Sequence, residues 1–202
     1  MPPQHARDLL KAFRLDATKL RYKDWDDLMG YCAYSAMPVG RFVLDVHSES
    51  RSTWPSSDAI CAALQIINHI QDCAADYRNL DRVYIPRDAM EKHGVTVGAL
   101  AAKRASPDLM RCVQDLAAHT ALLLEESRVF SAQIADRRLA MEVAAIQSLA
   151  DRLISLLLTR DPLSERVHLS KFQMALVGLT GATGGLVRWL ITRATPSSAF
   201  AR

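Results

Sequence analysis

Hydrophobic residues recur every three or four positions along almost the whole chain, which is the spacing of one face of an α-helix. No segment rich in Val, Ile and Thr alternates with polar residues between hairpin turns, so no strand is predicted. The sequence therefore predicts an all-α protein. The predicted helices cover about residues 6–18, 24–46, 56–78, 106–134, 137–159 and 167–192, and a short helix lies between Pro86 and Gly94.

Local signals mark several helix ends. The run Ser56-Ser57-Asp58 supplies N-cap side chains for the third predicted helix, and Ser106 before Pro107 is an N-cap followed by a first-turn proline. Pro38 is expected to kink the second helix, because proline lacks the N–H that an internal helix position donates. Four glycines are expected to interrupt the last helix, and residues 195–202 are expected to fray.

Composition narrows the class of protein. The chain has 202 residues, half of them hydrophobic, which is enough for one domain with a sizeable core, here taken as a single partial domain over residues 1–202. Its net charge of +3 comes from basic and acidic residues that are interspersed, so no nucleic-acid partner is expected.

The cysteines and the longest apolar run indicate where in the cell the protein is expected. The four cysteines lie far apart in apolar segments, which predicts reduced, buried thiols and a cytoplasmic protein. The longest uncharged run, residues 172–187, is shorter than the roughly 20 residues that a spanning helix needs. Peripheral contact with the inner face of the membrane stays open.

One polar stripe on the third predicted helix is the main candidate for chemistry. At 100° per residue, Asn68, Asp72 and Asp76 follow one another in 40° steps, with Gln65 on the same arc and no Lys or Arg between them. Two carboxylates one turn apart repel each other, and a cation removes that repulsion. Since Mg²⁺ in proteins is held by one or two carboxylates together with phosphate oxygens, the stripe suits a magnesium diphosphate.

The spacing alone is a weak signal, because Asp45 and Glu49, and Asp161 and Glu165, are also four residues apart. The alternative interpretation is that Asp72 and Asp76 lie on an exposed edge and pair with nearby arginines, Arg78 or Arg82.

Three segments resemble the squalene/phytoene synthases. They are YCAYSAMPVG at residues 31–40, the spacing of Gln65, Asn68, Asp72 and Asp76, and DRVYIP at residues 81–86. The wording HIQDCAADYRNLDRVYIP is most similar to the bacterial hopanoid-pathway branch of that family. The resemblance implies an isoprenoid synthase-type helical bundle that acts on farnesyl-derived diphosphates, using Mg²⁺, to give hydroxysqualene or squalene.

The resemblance also implies roles for individual residues. Asp72 and Asp76, with Asn68, match the second aspartate-rich, metal-holding motif, and Asn68 and Gln65 match polar neighbours of the diphosphate. Tyr31 matches a tyrosine near the reacting carbons. Arg166 and, less closely, Lys171 match a C-terminal basic segment that approaches the diphosphate, although solvation at a helix start explains the two equally well.

The substrate of such an enzyme needs an apolar, aromatic-lined tunnel, which Trp25, Tyr31, Tyr34 and Phe42 are expected to supply in part. Val39 and Gly40 are candidates for contact with the prenyl chain, because small residues allow close approach. Packing in the protein core explains the small side chains at these two positions nearly as well.

Family members carry a further aspartate-rich motif upstream of the tyrosine segment, and this chain is expected to lack it, either as a fragment or as a shortened member. Apolar faces left uncovered would then favour association into homo-oligomers. Two alternatives stay open: head-to-head prenyl transfer of the phytoene or dehydrosqualene type, and a non-catalytic helical module that binds a partner.

Overall fold

The computed structural model describes residues 3–194, which form ten α-helices and three short 3₁₀ segments. Within this range no strand forms, and one isolated bridge pairs Arg21 with Val83, so the all-α prediction is confirmed. The predicted frayed tail, residues 195–202, lies outside the described residues. The helices are α1 (Gln4–Thr18), α2 (Trp25–Ser35), α3 (Met37–Val46), α4 (Trp54–Gln71), α5 (Cys73–Leu80), α6 (Arg87–Lys92), α7 (Pro107–Glu126), α8 (Phe130–Gln133), α9 (Arg137–Leu157) and α10 (Lys171–Ala194).

The second predicted helix is two helices instead of one kinked helix. α2 ends at Ser35, and α3 begins at Met37 with Pro38 in its first turn. A proline is tolerated in a first turn, where its missing N–H has no intrahelical partner, and it disfavours helical backbone in the residue before it. The break therefore lies at Ala36, two residues before Pro38.

The third predicted helix differs at both ends. α4 begins at Trp54, so the expected caps Ser56, Ser57 and Asp58 lie inside the helix, and Asp58 instead accepts a hydrogen bond of 2.8 Å from Arg41 Nε. The helix breaks at Asp72, whose φ of −101° and ψ of 6° are not helical, and α5 follows. Aspartate favours helix ends over helix interiors.

The remaining helices follow the prediction more closely. Ser106 caps α7 as expected, accepting a 3.2 Å hydrogen bond from the Leu109 N–H, but α7 ends at Glu126 and a 3₁₀ turn separates it from α8. α10 begins at Lys171, later than predicted, and its glycines do not interrupt it.

The core forms around α4, in which ten of 18 residues are buried. Helices α2, α3, α7 and α9 pack against it. The side of α4 that stays accessible carries Leu64, Gln65, Asn68 and Gln71. All four cysteines are free thiols, as predicted, with Cys61 half-buried and the other three buried.

Helix α10 packs against α9 along one side only. Its segment Lys171–Arg193 has a mean hydropathy of 1.4 and only 11% of its most apolar window is buried. By length and composition alone this helix is long and apolar enough to cross a membrane, whereas the uncharged run of residues 172–187 predicts a segment too short to do so.

Candidate functional site

The two predicted metal-binding carboxylates lie at the junction of α4 and α5. Asp72 is exposed and Asp76 is half-buried one turn later, where its N–H donates to the Asp72 carbonyl at 2.8 Å. Burial raises the pKa of Asp76, and the negative charge of Asp72 raises that pKa further. The repulsion that the spacing predicted is therefore present across the break in the helix.

Neither carboxylate is paired with a cation among residues 3–194. Arg78 donates through Nε to the Ala74 carbonyl at 3.0 Å, and Arg82 donates to the carbonyl of Asp16. The positive charge of Arg82 lowers the pKa of Asp76 only in part. The alternative in which Asp72 and Asp76 pair with these arginines is not what the structure shows.

The other two acidic pairs with the same spacing already have hydrogen-bond or ion-pair partners. Asp45 lies 2.8 Å from His5 Nε2, and Glu49 accepts from the N–H groups of residues 135 and 136. Asp161 accepts from the Leu163 N–H at 2.8 Å, and Glu165 lies 3.9 Å from an arginine. Only the predicted pair thus combines the one-turn spacing with carboxylate oxygens that have no partner in the described part of the chain.

A cavity of about 760 Å³ opens along α4 on the N-terminal side of the carboxylates. From α4 it is lined by Leu64, Asn68 and Gln71, and from the far end of the sequence by Arg166 and Lys171. Two predicted substrate-binding cations are thus brought to the same cavity as Asn68, across about 100 residues of sequence. Gln71 supports this arrangement, because its side-chain amide donates to the Val167 carbonyl and holds the basic segment against α4.

Asp72 and Asp76 do not line this cavity, although Asp72 directly follows Gln71, which does. Gln65 does not line it either: its amide nitrogen lies 3.1 Å from His69 Nε2. The predicted arc of four polar groups is therefore divided, with Asn68 facing the cavity and Gln65 turned toward buried aromatic rings.

Those rings surround Tyr31, the predicted catalytic tyrosine. Tyr31 is buried and its hydroxyl donates to Asp16 Oδ1 at 2.8 Å, while its ring lies 5.7 Å from that of Tyr84. Burial and the hydrogen bond to Asp16 raise the pKa of the phenol. The ring of His69 stacks on Tyr84 at 3.4 Å, and burial lowers the pKa of His69 to about 3, so the imidazole is neutral.

The expected aromatic lining of a tunnel is wrong in most of its members. Trp25 packs 5.5 Å from His119, and Phe42 is exposed with its ring 6.4 Å from His5. Tyr34 is also exposed. Trp25 and Tyr34 lie on α2 with Tyr31, and Phe42 lies on α3, but none of the three shares a cavity with Tyr31.

Of the two small residues predicted to contact a prenyl chain, only Gly40 lies at a cavity. It lines an apolar cavity of about 360 Å³, together with Leu44, Ile60 and Val143, and shares Leu64 and Ile146 as walls with the larger cavity. A Cβ atom at Gly40 would lie 2.5 Å from Ser57 Oγ, so the glycine permits the close approach of α3 and α4. Val39 is 48% exposed and lines neither cavity.

The oxygen-bearing side chains at the α4–α5 junction suit a magnesium ion that is held partly by the protein and partly by a phosphate group. Within residues 3–194 no group of three or more His, Cys, Asp and Glu could hold a metal ion. The set consists of two unpartnered carboxylates and the exposed amide of Asn68. Such a set fits Mg²⁺, which takes one or two carboxylates and completes its shell with water and phosphate oxygens.

Asp16 and Arg82 are the residues of this region that the sequence did not indicate as functional. Asp16 holds the Tyr31 hydroxyl, and Arg82 contacts the Asp16 carbonyl and acts electrostatically on Asp76. Neither has a local signal, since their partners are 15 and 66 residues away in sequence.

Comparison with known proteins gives consistent matches. The sequence profile of the squalene/phytoene synthase family matches residues 1–173. The chain is 55% identical over 188 residues to hydroxysqualene synthase of Rhodopseudomonas palustris, covering 93% of this chain and 64% of that protein. It is 50% identical over 195 residues to hydroxysqualene synthase of Sinorhizobium fredii, covering 96% of this chain and 67% of that protein.

Solved structures match as well. The crystal structure of squalene synthase HpnC from Alicyclobacillus acidocaldarius superposes with a TM-score of 0.66 at 30% identity, covering 96% of this chain and 60% of that one. A dehydrosqualene synthase in complex with a ligand gives a TM-score of 0.81 at 21% identity, covering 91% and 65%, which supports the fold alone. The chain spans about two thirds of the length of these proteins.

Proposed function

The chain belongs to the squalene/phytoene synthase family, and from that premise we propose that it acts on a farnesyl-derived diphosphate, releasing pyrophosphate to give hydroxysqualene or squalene. The observation that carries the proposal is the meeting of Asn68, Arg166 and Lys171 around one cavity, with two carboxylates that have no cationic partner following on the same helical segment. A diphosphate in this cavity would meet the cations of Arg166 and Lys171 and the amide of Asn68, one helical turn before Asp72.

The metal would be held by Asp72, Asp76 and Asn68 together with the substrate. When bound there, Mg²⁺ supplies Lewis-acid neutralisation of the charge that develops on the leaving pyrophosphate. Arg166 and Lys171 supply fixed positive charge toward the same oxygens. Asp72 and Asp76 are thus proposed as both metal ligands and catalytic groups.

The prenyl chain would lie in the apolar cavity lined by Gly40, Leu64 and Ile146, which keeps water from the carbocation. Tyr31, held by Asp16, is proposed to present its ring and oxygen to the reacting carbons, and Gln65 is proposed as a polar neighbour of the substrate. Val39, which is exposed, has no supporting contact in this scheme.

Hydroxysqualene formation is favoured over phytoene-type transfer by the relatives. Hydroxysqualene synthases match at 50–55% identity, whereas phytoene synthase of Thermus thermophilus matches at 28% over 169 residues. The free cysteines support a reducing, cytoplasmic location. Peripheral contact at the inner membrane face and self-association through exposed apolar faces complete the proposal.

The direct test is to incubate the chain with presqualene diphosphate and Mg²⁺ and to measure pyrophosphate release and the prenyl product. We expect hydroxysqualene, formed when water adds to the carbocation, because squalene would require a hydride donor that this mixture lacks. Release should be at least about a hundredfold slower in Asp76→Asn and unchanged in Asp26→Asn, which removes an exposed carboxylate elsewhere. Turnover of geranylgeranyl diphosphate in its place would support the phytoene-type alternative. Absence of pyrophosphate release from either substrate would support the non-catalytic module.

A further inference from the structure

The chain between α9 and α10 ends in a non-helical segment that lies along one wall of the cavity of about 760 Å³. Val167 and Leu169 are buried, whereas Arg166, His168 and Ser170 are exposed. Burial that alternates in this way places every second side chain on the same side of a chain segment. Arg166, His168 and Ser170 all line the cavity. His168 therefore faces the same space as the predicted substrate-binding arginine.

The backbone of this segment is held in place from both sides. The Gln71 side-chain amide donates to the Val167 carbonyl, and the His168 N–H donates to the Arg166 carbonyl at 2.9 Å. Because Val167 and Leu169 pack in the core, the segment cannot turn over without exposing apolar side chains to water. The place of His168 at the cavity wall is thus fixed by its buried neighbours.

The first turn of α10 continues the same wall. The Ser170 hydroxyl accepts a hydrogen bond of 3.2 Å from the Gln173 N–H, and the Gln173 side-chain oxygen accepts one of 3.0 Å from the Ser170 N–H. This reciprocal pair is a capping box, which fixes where the helix begins. Ser170, Lys171 and Gln173 all line the cavity. The positive end of the helix dipole therefore lies at the cavity as well.

The side chains around this cavity are basic but not acidic. Its lining includes Arg166, His168 and Lys171 and, among the described residues, no Asp or Glu. In the part of the chain that the structure describes, none of the three has a carboxylate partner, and the adjacent Glu165 lies 3.9 Å from Arg160 instead. Unpaired basic groups that line one cavity favour an anionic ligand.

We propose that His168 is a further substrate-contacting residue, which donates a hydrogen bond from its ring to the leaving pyrophosphate. The imidazole carries an N–H donor whether it is neutral or protonated, and a hydrogen bond to an anionic oxygen is stronger than one between neutral groups. Pyrophosphate has two phosphoryl groups joined through one oxygen. Arg166 and His168, two residues apart on one side of the segment, can each take one of them.

His168 thereby selects a diphosphate over a single phosphate, which has only one phosphoryl group to offer to the two positions. This inference rests on the proposed function, because it assigns His168 to the diphosphate site of the same cavity.

The test is calorimetric titration of the chain with pyrophosphate and, separately, with inorganic phosphate, both in the presence of Mg²⁺. We expect His168→Leu, which removes the donor, to weaken pyrophosphate binding by about tenfold and phosphate binding by less than about twofold. His168→Gln keeps an N–H donor and should recover part of the loss. His119→Leu is the matched control, because His119 is also an exposed histidine and lines a different cavity. Circular dichroism checks the folding of each variant.

Undiminished pyrophosphate binding in His168→Leu, an equal loss in His119→Leu, or equal weakening in His168→Gln and His168→Leu would overturn the proposal. An equal loss for both anions would also overturn it, since that result indicates a general effect of charge. So would absence of pyrophosphate binding by the unchanged chain. The titration uses no prenyl substrate, so it can fail while pyrophosphate release from presqualene diphosphate succeeds, and the reverse.

Discussion

Replacing Gly40 by alanine tests the close approach of α3 and α4 beside the apolar cavity. The added Cβ would lie 2.5 Å from Ser57 Oγ and 2.6 Å from Cys61 Sγ, distances that real Cβ atoms do not reach. One or both side chains must shift or the helices must separate. Overpacking of this kind costs about 1–3 kcal/mol. Against it stands a gain of up to about 1 kcal/mol, because alanine is the better helix former.

Gly30→Ala isolates the packing contribution. Gly30 lies in the helix α2, and a Cβ there would meet no atom within 4 Å, so this variant shows the propensity gain alone. The free energy of unfolding of Gly40→Ala should therefore lie about 1–3 kcal/mol below that of Gly30→Ala, or roughly 2–12 °C lower in Tm for a chain of this size. Urea and thermal unfolding followed by circular dichroism measure the difference. Equal stability of the two variants would refute the close approach.

Three further substitutions test separate parts of the structure. Tyr31→Phe removes the 2.8 Å hydrogen bond to Asp16 and should lower the unfolding free energy by about 1–3 kcal/mol, measured by urea unfolding. His69 has a pKa of about 3 in the folded chain, so the unfolded chain takes up its proton first and stability should fall as pH drops from about 6.5 toward 3; His69→Gln should flatten that part of a urea-midpoint profile against pH. Ser106→Ala removes the cap of α7 and should lower Tm by the equivalent of about 1 kcal/mol, while an unchanged Tm would mean that the cap is satisfied by water.

The sequence predicted those parts of the fold that have local causes. Ser106 before Pro107 marked the start of α7, because a capping hydroxyl and a first-turn proline act within one turn. The polar stripe of Asn68, Asp72 and Asp76 was visible because helical periodicity orders side chains over short distances. The helix break at Asp72 was missed, since no glycine or proline marks it and aspartate also occurs within helices.

The features that the sequence did not predict depend on contacts between distant segments. That Arg166 reaches the cavity beside Asn68 follows from the packing of the 166–170 segment on α4 through Gln71, and such a contact has no sequence pattern. The same holds for Asp16, which meets Tyr31 only because α1 packs on α2. The prediction of an aromatic-lined tunnel was wrong because the sequence shows which residues are aromatic but not which face of each helix becomes buried.

We propose that the α4–α5 junction holds a metal-bound diphosphate. Calorimetric titration of the chain with pyrophosphate, in the presence and absence of Mg²⁺, tests it most directly. We expect binding that requires Mg²⁺ and weakens by about tenfold or more in both Asp72→Asn and Asp76→Asn, with Asp108→Asn, an exposed carboxylate on α7, unchanged. Binding of equal strength without Mg²⁺, or binding that both aspartate variants retain in full, would contradict the assignment of this site.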